Sequence, residues 1–181
     1  MYLIRATQDF RGLTQRVCLR NEELTEERKG LWAMSLGDIQ QREDIKRVAI
    51  AFYKDKDRDK QGSIEQEAKS YGKTIRLWRA VGLLCLEGVL LTDGRVCVVI
   101  VVSPPQPSGD TGAVAGGSPS AGLRTTYKVV VSKVDREEKV TLELEYGDML
   151  RLDEDKKMEA TSGGIAFIVM MYDVVSESQD H

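Results

Sequence analysis

The residue types that most often carry out catalysis are scarce in this 181-residue chain. Its single histidine, His181, is the last residue, whereas catalytic triads and most zinc sites use histidine or paired cysteines. The three cysteines, Cys18, Cys85 and Cys97, lie in apolar segments without a Cys-x-x-Cys pair, which favours reduced, buried thiols. The sequence therefore predicts no catalytic residue, no metal site and no cofactor, and the chain is not expected to be an enzyme.

Two acidic patterns in the sequence bear on that expectation. Asp55, Asp57 and Asp59 alternate as at the start of a calcium-binding EF-hand loop, but Lys60 stands where the sharp turn needs glycine, and Gln66 where a bidentate glutamate belongs. This pattern favours a solvated turn.

Glu143 and Glu145 form the second pattern, on one face of a predicted strand. Paired carboxylates hydrolyse glycosides only in a cleft where one pKa is raised. We interpret them as exposed strand residues. An enzyme that uses only carboxylates, lysines and tyrosines stays an alternative hypothesis.

The composition is that of a globular protein, with 41% hydrophobic and 30% charged residues and a net charge of −3. Residues 1–62 hold 13 Lys/Arg and 11 Asp/Glu, whereas residues 123–181 hold 8 and 13. This asymmetry either steers head-to-tail contacts between copies or reflects ordinary solvated faces. The N-terminus lacks the apolar core of a secretory signal, and the longest apolar run is too short to span a bilayer, so any membrane contact is expected to be peripheral.

Basic residues recur near the N-terminus and in the charged turn after residue 53. Because the chain is acidic overall and no aromatic pair typical of RNA-binding sheets occurs on a strand, we do not expect sequence-specific nucleic-acid binding. The same residues could contact anionic lipid heads or an acidic protein. These candidate contact residues are Arg5, Arg11, Arg16, Arg20, Lys54, Lys56, Arg58 and Lys60.

The N-terminal third is predicted to be mixed. We expect a short strand over Arg16–Arg20, a helix over Glu26–Leu36 that Thr25 caps and Gly37 ends, and a strand over Arg47–Lys54. The strand prediction rests on the alternation of Val48, Ile50 and Phe52.

A long helix is predicted from about Ser63 to Leu91. Ser63-Ile64-Glu65-Gln66 matches a capping box, and apolar residues then recur at steps of three and four. Because Gly82 and other glycines weaken a helix, we expect a kink or break near that residue.

The rest of the chain is predicted to be β. Arg95–Val102 and Ile165–Val175 are apolar on both faces, which is typical of central strands. Arg124–Val134 and Val140–Tyr146 flank a charged turn and are predicted to form a hairpin. Between these segments, residues 103–122 hold all four prolines and five of the sixteen glycines, which predicts a flexible Pro/Gly/Ser loop.

Together these elements predict an α+β fold in which an antiparallel β-sheet packs against one long, kinked helix and a shorter N-terminal helix. We expect a single globular domain over residues 1–181, with residues 1–46 as an N-terminal extension that contains the short helix.

The order of these elements resembles the globular domain of rhabdovirus matrix proteins over residues 47–175. The resemblance is carried by a strand that ends in Phe52-Tyr53-Lys54, a long helix, a loop that carries Ala113-Val114-Ala115, and a strand that reads Gly164-Ile165-Ala166-Phe167-Ile168-Val169-Met170-Met171-Tyr172-Asp173. The size of the chain suits members from plant-infecting viruses. It departs from animal members in having no lysine-rich N-terminal tail and no intact Pro-Pro-x-Tyr motif.

The resemblance implies a viral structural protein that self-associates, condenses the nucleocapsid and bridges it to the inner face of an anionic envelope membrane. The basic residues named above would then contact viral nucleoprotein or lipid. Location in the virion, and in host cytoplasm or nucleus at membrane surfaces, is expected. An RNA-binding or movement-type viral protein is the alternative. The implied self-association residues are Ala113, Val114, Ala115, Pro104 and Pro105.

Overall fold

The computed structural model of the chain describes residues 1–17, 19, 23–54, 73–85, 88–102, 126–135, 138–161 and 165–176. The helices in these ranges are α1 (Gln8–Thr14), α2 (Leu36–Gln41) and α3 (Glu43–Lys54). The strands are β1 (Tyr2–Ile4), β2 (Leu24–Arg28), β3 (Leu31–Met34), β4 (Lys73–Cys85), β5 (Val89–Leu91), β6 (Val96–Val102), β7 (Tyr127–Lys133), β8 (Lys139–Leu144), β9 (Met149–Leu152), β10 (Lys156–Ala160) and β11 (Ile165–Ser176).

The described strands form two antiparallel sheets. The large sheet has seven strands in the order β1-β9-β6-β11-β4-β3-β2, and the small sheet has four in the order β5-β10-β7-β8. At the centre of the large sheet, β11 pairs with β4 over its whole length and with β6 on its other side. In the small sheet, β5 and β8 are the two edge strands.

Both faces of the large sheet are covered near its centre. All of β6 and residues 165–172 of β11 are buried, so the side chains on either face of these strands are out of water. The same apolar cluster includes buried residues of the three helices and of the small sheet. Burial of this apolar surface is the main favourable term in the folding of such a domain.

Three sequence predictions of strands are confirmed. The predicted central strands are β6 and β11; β6 is buried on both faces throughout, and β11 is buried on both faces over residues 165–172. The predicted hairpin is formed by β7 and β8, which pair from Tyr127 with Leu144 to Ser132 with Lys139. In each case long-range pairing and the local apolar pattern favour the same structure.

The predicted α+β fold with one long helix is wrong. Residues 73–85 form the strand β4 and residues 89–91 form β5, while residues 63–72 lie outside the described range. The ladder between β11 and β4 is irregular between Met171 and Tyr172, which pair with Arg79 and Leu77, so that Trp78 has no opposite residue. Such a bulge shifts the two-residue alternation by one position. The bulge therefore puts one step of three, from Leu77 to Ala80, into the alternation, and steps of three also occur in helix patterns.

The predicted helix over Glu26–Leu36 is also wrong. This segment contains the β2–β3 hairpin, and Thr25, the predicted cap, lies within β2. The hairpin turns at Gly30, which has a φ of +74°, a conformation that costs glycine little and other residues more. A helix does follow, but it begins at Leu36, after Ser35 accepts a hydrogen bond from the Asp38 N–H.

The predicted strand over Arg47–Lys54 is wrong, because these residues lie within helix α3. Ile45, Val48 and Phe52 are buried at steps of three and four, whereas Ile50 is 50% exposed. The buried residues therefore follow the helical period, and the alternation of Val48, Ile50 and Phe52 does not indicate a strand. The predicted strand over Arg16–Arg20 is not present at the described residues 16, 17 and 19, although Val17 and Leu19 are buried.

The predicted N-terminal extension supplies strands to the large sheet. β1 pairs with β9, and β3 pairs with both β2 and β4. The predicted loop over residues 103–122 lies outside the described residues. None of the helices in the described part of the chain is long and apolar enough to cross a membrane.

Helix α1 docks against the turn between β8 and β9. Gly147 in this turn has a φ of +79°, and a Cβ atom added there would lie 2.9 Å from the Ala6 Cβ and 3.1 Å from the Arg11 Cα. The turn and the helix can approach this closely only because residue 147 has no side chain.

We expect Gly147→Ala to lower the free energy of unfolding by about 3 kcal/mol or more, because a left-handed conformation costs roughly 1–2 kcal/mol and the steric overlap adds to it. Gly94→Ala is the matched control. Gly94 has a φ of +76°, but nothing lies within 4 Å of an added Cβ. Urea unfolding of both variants would separate the two effects, and equal losses would show that the close packing at Gly147 contributes nothing.

Candidate functional site

The buried carboxylate of Asp148 ties the N-terminal segment to the end of the small sheet. Asp148 is completely buried and accepts hydrogen bonds from the Ala6 N–H at 3.0 Å and the Glu145 N–H at 2.9 Å. The Arg5 guanidinium, which is 58% exposed, also donates to it. A buried charge is tolerated when it is paired and hydrogen-bonded in this way. The site therefore fixes the position of Arg5 beside β8.

A polar cleft of about 320 Å³ lies beside this carboxylate. Within it, Arg11 pairs with Glu145, and the second donor contact of Arg5 is to the main-chain carbonyl of Glu143 at 3.0 Å. The cleft is lined by Arg5, Arg11, Thr126, Glu143 and Glu145. Together with Asp148, the cleft holds two basic side chains, those of Arg5 and Arg11, and three acidic ones. The cleft therefore presents no excess positive charge to a phosphate.

Tyr127 of β7 and Tyr146 of the turn after β8 contact each other. The ring centroids of Tyr127 and Tyr146 lie 5.7 Å apart in an edge-to-face arrangement, and their hydroxyl oxygens are 2.9 Å apart. Burial, and then the hydrogen bond with Tyr146, raise the pKa of Tyr127 above its ordinary value. Tyr127 is therefore held as a neutral phenol, which suits packing better than proton transfer at neutral pH.

The outer edge of β8 borders the same cleft, and its main-chain groups can be oriented from the neighbouring ladders. The Thr161 N–H donates to the Lys128 carbonyl at 3.1 Å, so the main-chain groups of Lys128 face β10. Since successive residues of a strand point these groups to opposite sides, those of Val129 face β8. Val129 pairs with Leu142, so the main-chain groups of Leu142 face β7 and those of Thr141 face away from the sheet.

The position of Arg5 supports this orientation. Its guanidinium reaches the Glu143 carbonyl from outside the sheet, so Glu143 also points its main-chain groups outward. By the same alternation, Lys139 does so at the other end of β8. Among the described residues, β8 has no strand partner on this side. The edge therefore offers outward N–H and C=O groups at every second residue.

The side chains along this edge are exposed. Lys139, Thr141 and Glu143 share one face of β8, and all three are exposed. On the opposite face, Val140 is 41% exposed, and Val134, in the hairpin turn between β7 and β8, is 51% exposed. Exposed sheet edges with apolar residues are the usual sites at which another strand is added.

The structure brings together only two of the candidate contact residues, Arg5 and Arg11, and both are engaged with carboxylates. Arg16 is exposed in the turn after α1, and Lys54 is the last residue of α3. The remaining contact residues, Arg20, Lys56, Arg58 and Lys60, lie outside the described residues. So do the predicted self-association residues, which are Pro104, Pro105, Ala113, Val114 and Ala115. The alternating Asp55, Asp57 and Asp59 also lie outside that range.

Sequence reasoning missed Asp148 and the edge of β8. The hairpin was predicted, but a hairpin alone does not say which of its strands ends a sheet. The Tyr146-Gly147-Asp148 turn was the available signal for the carboxylate, since glycine and aspartate are typical turn residues. The burial of the Asp148 carboxylate, however, depends on contacts with Arg5 and Ala6, which are distant in sequence. Of the paired glutamates, Glu143 is exposed and Glu145 is partly buried against Arg11.

The described cysteine thiol is unsuited to nucleophilic chemistry. Cys97 lies in β6 and is completely buried, and desolvation raises its pKa to about 12. Within the described ranges, no group of three or more His, Cys, Asp and Glu side chains could hold a metal ion.

We expect Asp148→Asn to lower the free energy of unfolding by about 2–3 kcal/mol, because hydrogen bonds to charged groups contribute more than neutral ones and Arg5 would lose its counter-charge. Asp135→Asn, at an exposed carboxylate in the hairpin turn, is the control and should change it by less than about 0.5 kcal/mol. Thermal and urea unfolding of the two variants would measure the difference. Equal stabilities would contradict the anchoring role of Asp148.

We expect Cys97 to resist alkylation by iodoacetamide at pH 8 in the folded chain and to react after unfolding in guanidinium, because the thiolate is the nucleophile. Because the folded pKa is raised from 9.0 to about 12, the stability that this shift contributes is complete below pH 9 and is lost as the pH rises towards 12. Mass spectrometry of the peptide that contains Cys97 would measure both states. Rapid labelling in the folded chain would contradict this assignment.

Comparison with known proteins does not place the chain in a family. No family model matches it, and no curated protein matches it. Among solved structures, two of the CENP-C cupin domain from Drosophila melanogaster are similar at 10% identity, with TM-scores of 0.33 and 0.32. Each match covers 55% of this chain, and 67% and 65% of the two domains respectively. Similarity at this level supports no assignment of fold or function.

Proposed function

We propose that this chain is a non-catalytic assembly protein that associates with copies of itself by strand addition at the outer edge of β8. The observation that carries the proposal is the orientation of that edge. Thr141 and Lys139 direct their main-chain groups outward beside exposed apolar side chains, and the described residues provide no strand to pair with them. Unpaired main-chain donors and acceptors on a sheet edge form a template for another strand.

The remaining chemistry of the described region supports a role other than catalysis. The completely buried carboxylate, Asp148, already has three donors, and the Cys97 thiol is held protonated. The cleft arginines are neutralised by glutamate and aspartate. These groups therefore stabilise structure, and none of them is poised to attack a substrate or to transfer a proton.

The narrower role in a viral matrix stays a prediction of the sequence resemblance. Of the elements that carried the resemblance, the strand from Ile165 to Asp173 keeps its predicted form within β11. The segment around Phe52 is helical instead, and residues 73–85 are a strand. Arg5 and Arg11, two of the predicted contact residues for nucleoprotein or an anionic membrane, are already paired with carboxylates. The proposal therefore rests on the sheet edge and not on the resemblance.

We expect the parent chain to show a sedimentation coefficient that rises with concentration over roughly 10 to 500 µM, a range suited to a small interface. Thr141→Pro should remain monomeric, because proline removes an outward N–H that the β7–β8 ladder does not use. Thr141→Val keeps the N–H and should associate like the parent chain. Circular dichroism would verify that all three are folded. A parent chain that stays monomeric over the whole range would overturn the proposal.

A further inference from the structure

The sequence of β8 is complementary to itself when read in opposite directions. Its first five residues are Lys139, Val140, Thr141, Leu142 and Glu143. If two copies of this strand run antiparallel with Thr141 opposite Thr141, each Lys139 lies opposite a Glu143 and each Val140 lies opposite a Leu142. Residues that face each other across an antiparallel pair contact each other, so this register joins opposite charges and apolar groups.

The backbone of β8 permits the same register. Directly opposite residues form a hydrogen-bonded pair only when both direct their N–H and C=O groups towards the neighbouring strand. Lys139, Thr141 and Glu143 do so on the free side of β8, as the ladders with β7 and β10 and the Arg5 contact indicate. Thr141 would therefore exchange two hydrogen bonds with its own copy, and Lys139 would exchange two with the second copy's Glu143.

Neighbouring registers fit less well. A shift that centres the axis on Val140 places Lys139 opposite Thr141 and leaves its charge unpaired. A shift that centres it on Leu142 requires a hydrogen-bonded pair at Glu145, but the Glu145 N–H already donates to Asp148. The register centred on Thr141 is therefore the one that satisfies both charge and main-chain pairing.

Arg5 limits this ladder at one end. It donates to the Glu143 carbonyl, which would also accept from the second copy's Lys139 N–H. A carbonyl oxygen has two lone pairs and can accept both bonds. The register forms six main-chain hydrogen bonds, and the four that do not use the Glu143 carbonyl do not compete with Arg5.

The other described sheet edges lack this complementarity. β2 centred on Glu26 would place that glutamate opposite its own copy, and its ladder with β3 is irregular at this point. β5 has three residues, and Gly88 beside it lies so close to the Gly30 main chain that an added Cβ would be 2.8 Å from it. The small sheet thus has one long free edge among the described strands, and pairing there closes the assembly instead of extending it.

We propose that two copies of the chain associate about a two-fold axis through Thr141, joining their small sheets into one eight-stranded sheet across β8. This inference rests on the proposed function and specifies its partner and geometry. A lysine on a sheet edge normally discourages pairing. Here the Lys139 charge faces Glu143 of a second copy, which lies four residues further along the strand. Lys139 therefore favours pairing with a second copy and disfavours pairing with strands that lack an acidic residue at that position. The interface is isologous, since each residue of a pair occurs on both copies.

Charge reversal tests the register. Lys139→Glu places glutamate opposite glutamate twice, and Glu143→Lys places lysine opposite lysine twice, so each should weaken dimerisation about 10-fold at low salt. The double variant restores both opposite-charge pairs and should recover the parent dissociation constant. Sedimentation equilibrium at low and high salt would measure this, with the single effects shrinking as salt screens exposed charges. Failure of the double variant to recover, while both singles weaken association, would overturn the register.

A disulfide tests the axis. In a hydrogen-bonded antiparallel pair the Cα atoms lie about 5.5 Å apart, which is within the range that a disulfide spans. Thr141→Cys should therefore form a covalent dimer under mild oxidation. Glu159→Cys is the control, because Glu159 is exposed and lies in the same cross-strand row two strands further from the edge. Its copies would be about 25 Å apart, at roughly five strand spacings. The parent chain, oxidised in parallel, accounts for links made by the native cysteines.

The outcomes separate this inference from the proposed function. A covalent Thr141→Cys dimer together with rescue by double charge reversal would support the two-fold geometry. A parent chain that associates, with neither a Thr141→Cys link nor rescue, would overturn the geometry and leave assembly standing. A parent chain that never associates would overturn both.

Discussion

The buried carboxylate of Asp148 is the interaction on which the arrangement around β8 depends. Three donors from two distant parts of the chain converge on it, two of them main-chain or side-chain groups of residues 5 and 6. A carboxylate in this position would be costly without all of its partners, because an unpaired buried charge loses its hydration without compensation. The N-terminal segment and the turn after β8 therefore form as one unit, and neither is stable in this form without the other.

This coupling also fixes where the ladder of β8 stops. Asp148 takes the Glu145 N–H, so the strand cannot continue its edge pairing beyond Leu144. Arg5, held by the same carboxylate, covers the Glu143 carbonyl. The outward groups at Lys139 and Thr141 are left at the far end of the strand. A structural ion pair at one end of β8 thus defines the length of edge that another strand can use.

Local patterns predicted strands whose residues are apolar on both faces or alternate regularly, and failed where tertiary contacts decide. β6 and β11 are apolar on both faces, so any register with their neighbours gives the same prediction. β4 was mistaken for a helix because the unpaired Trp78 shifts its alternation, and only the pairing of Met171 and Tyr172 with its neighbours reveals this shift. In α3, the exposed Ile50 completed a false strand pattern. The role of Asp148 could not be inferred from its neighbours, since two of its donors lie more than a hundred residues away.

An open strand edge can lead to aggregation as well as to specific association, because it pairs with any chain that supplies matching main-chain groups. Selectivity must then come from side chains. A strand with charges of one sign repels every copy of itself, whereas Lys139 and Glu143 on either side of Thr141 repel a copy that arrives parallel in register and pair with one that arrives antiparallel in register. The apolar side chains of Val140 and Leu142 on the opposite face add contact area in that register. Among the described strands, the large sheet ends in the short β1 and the irregular β2, so the proposed association uses the edge of β8 alone, and a two-fold pair at one edge cannot grow into a fibre.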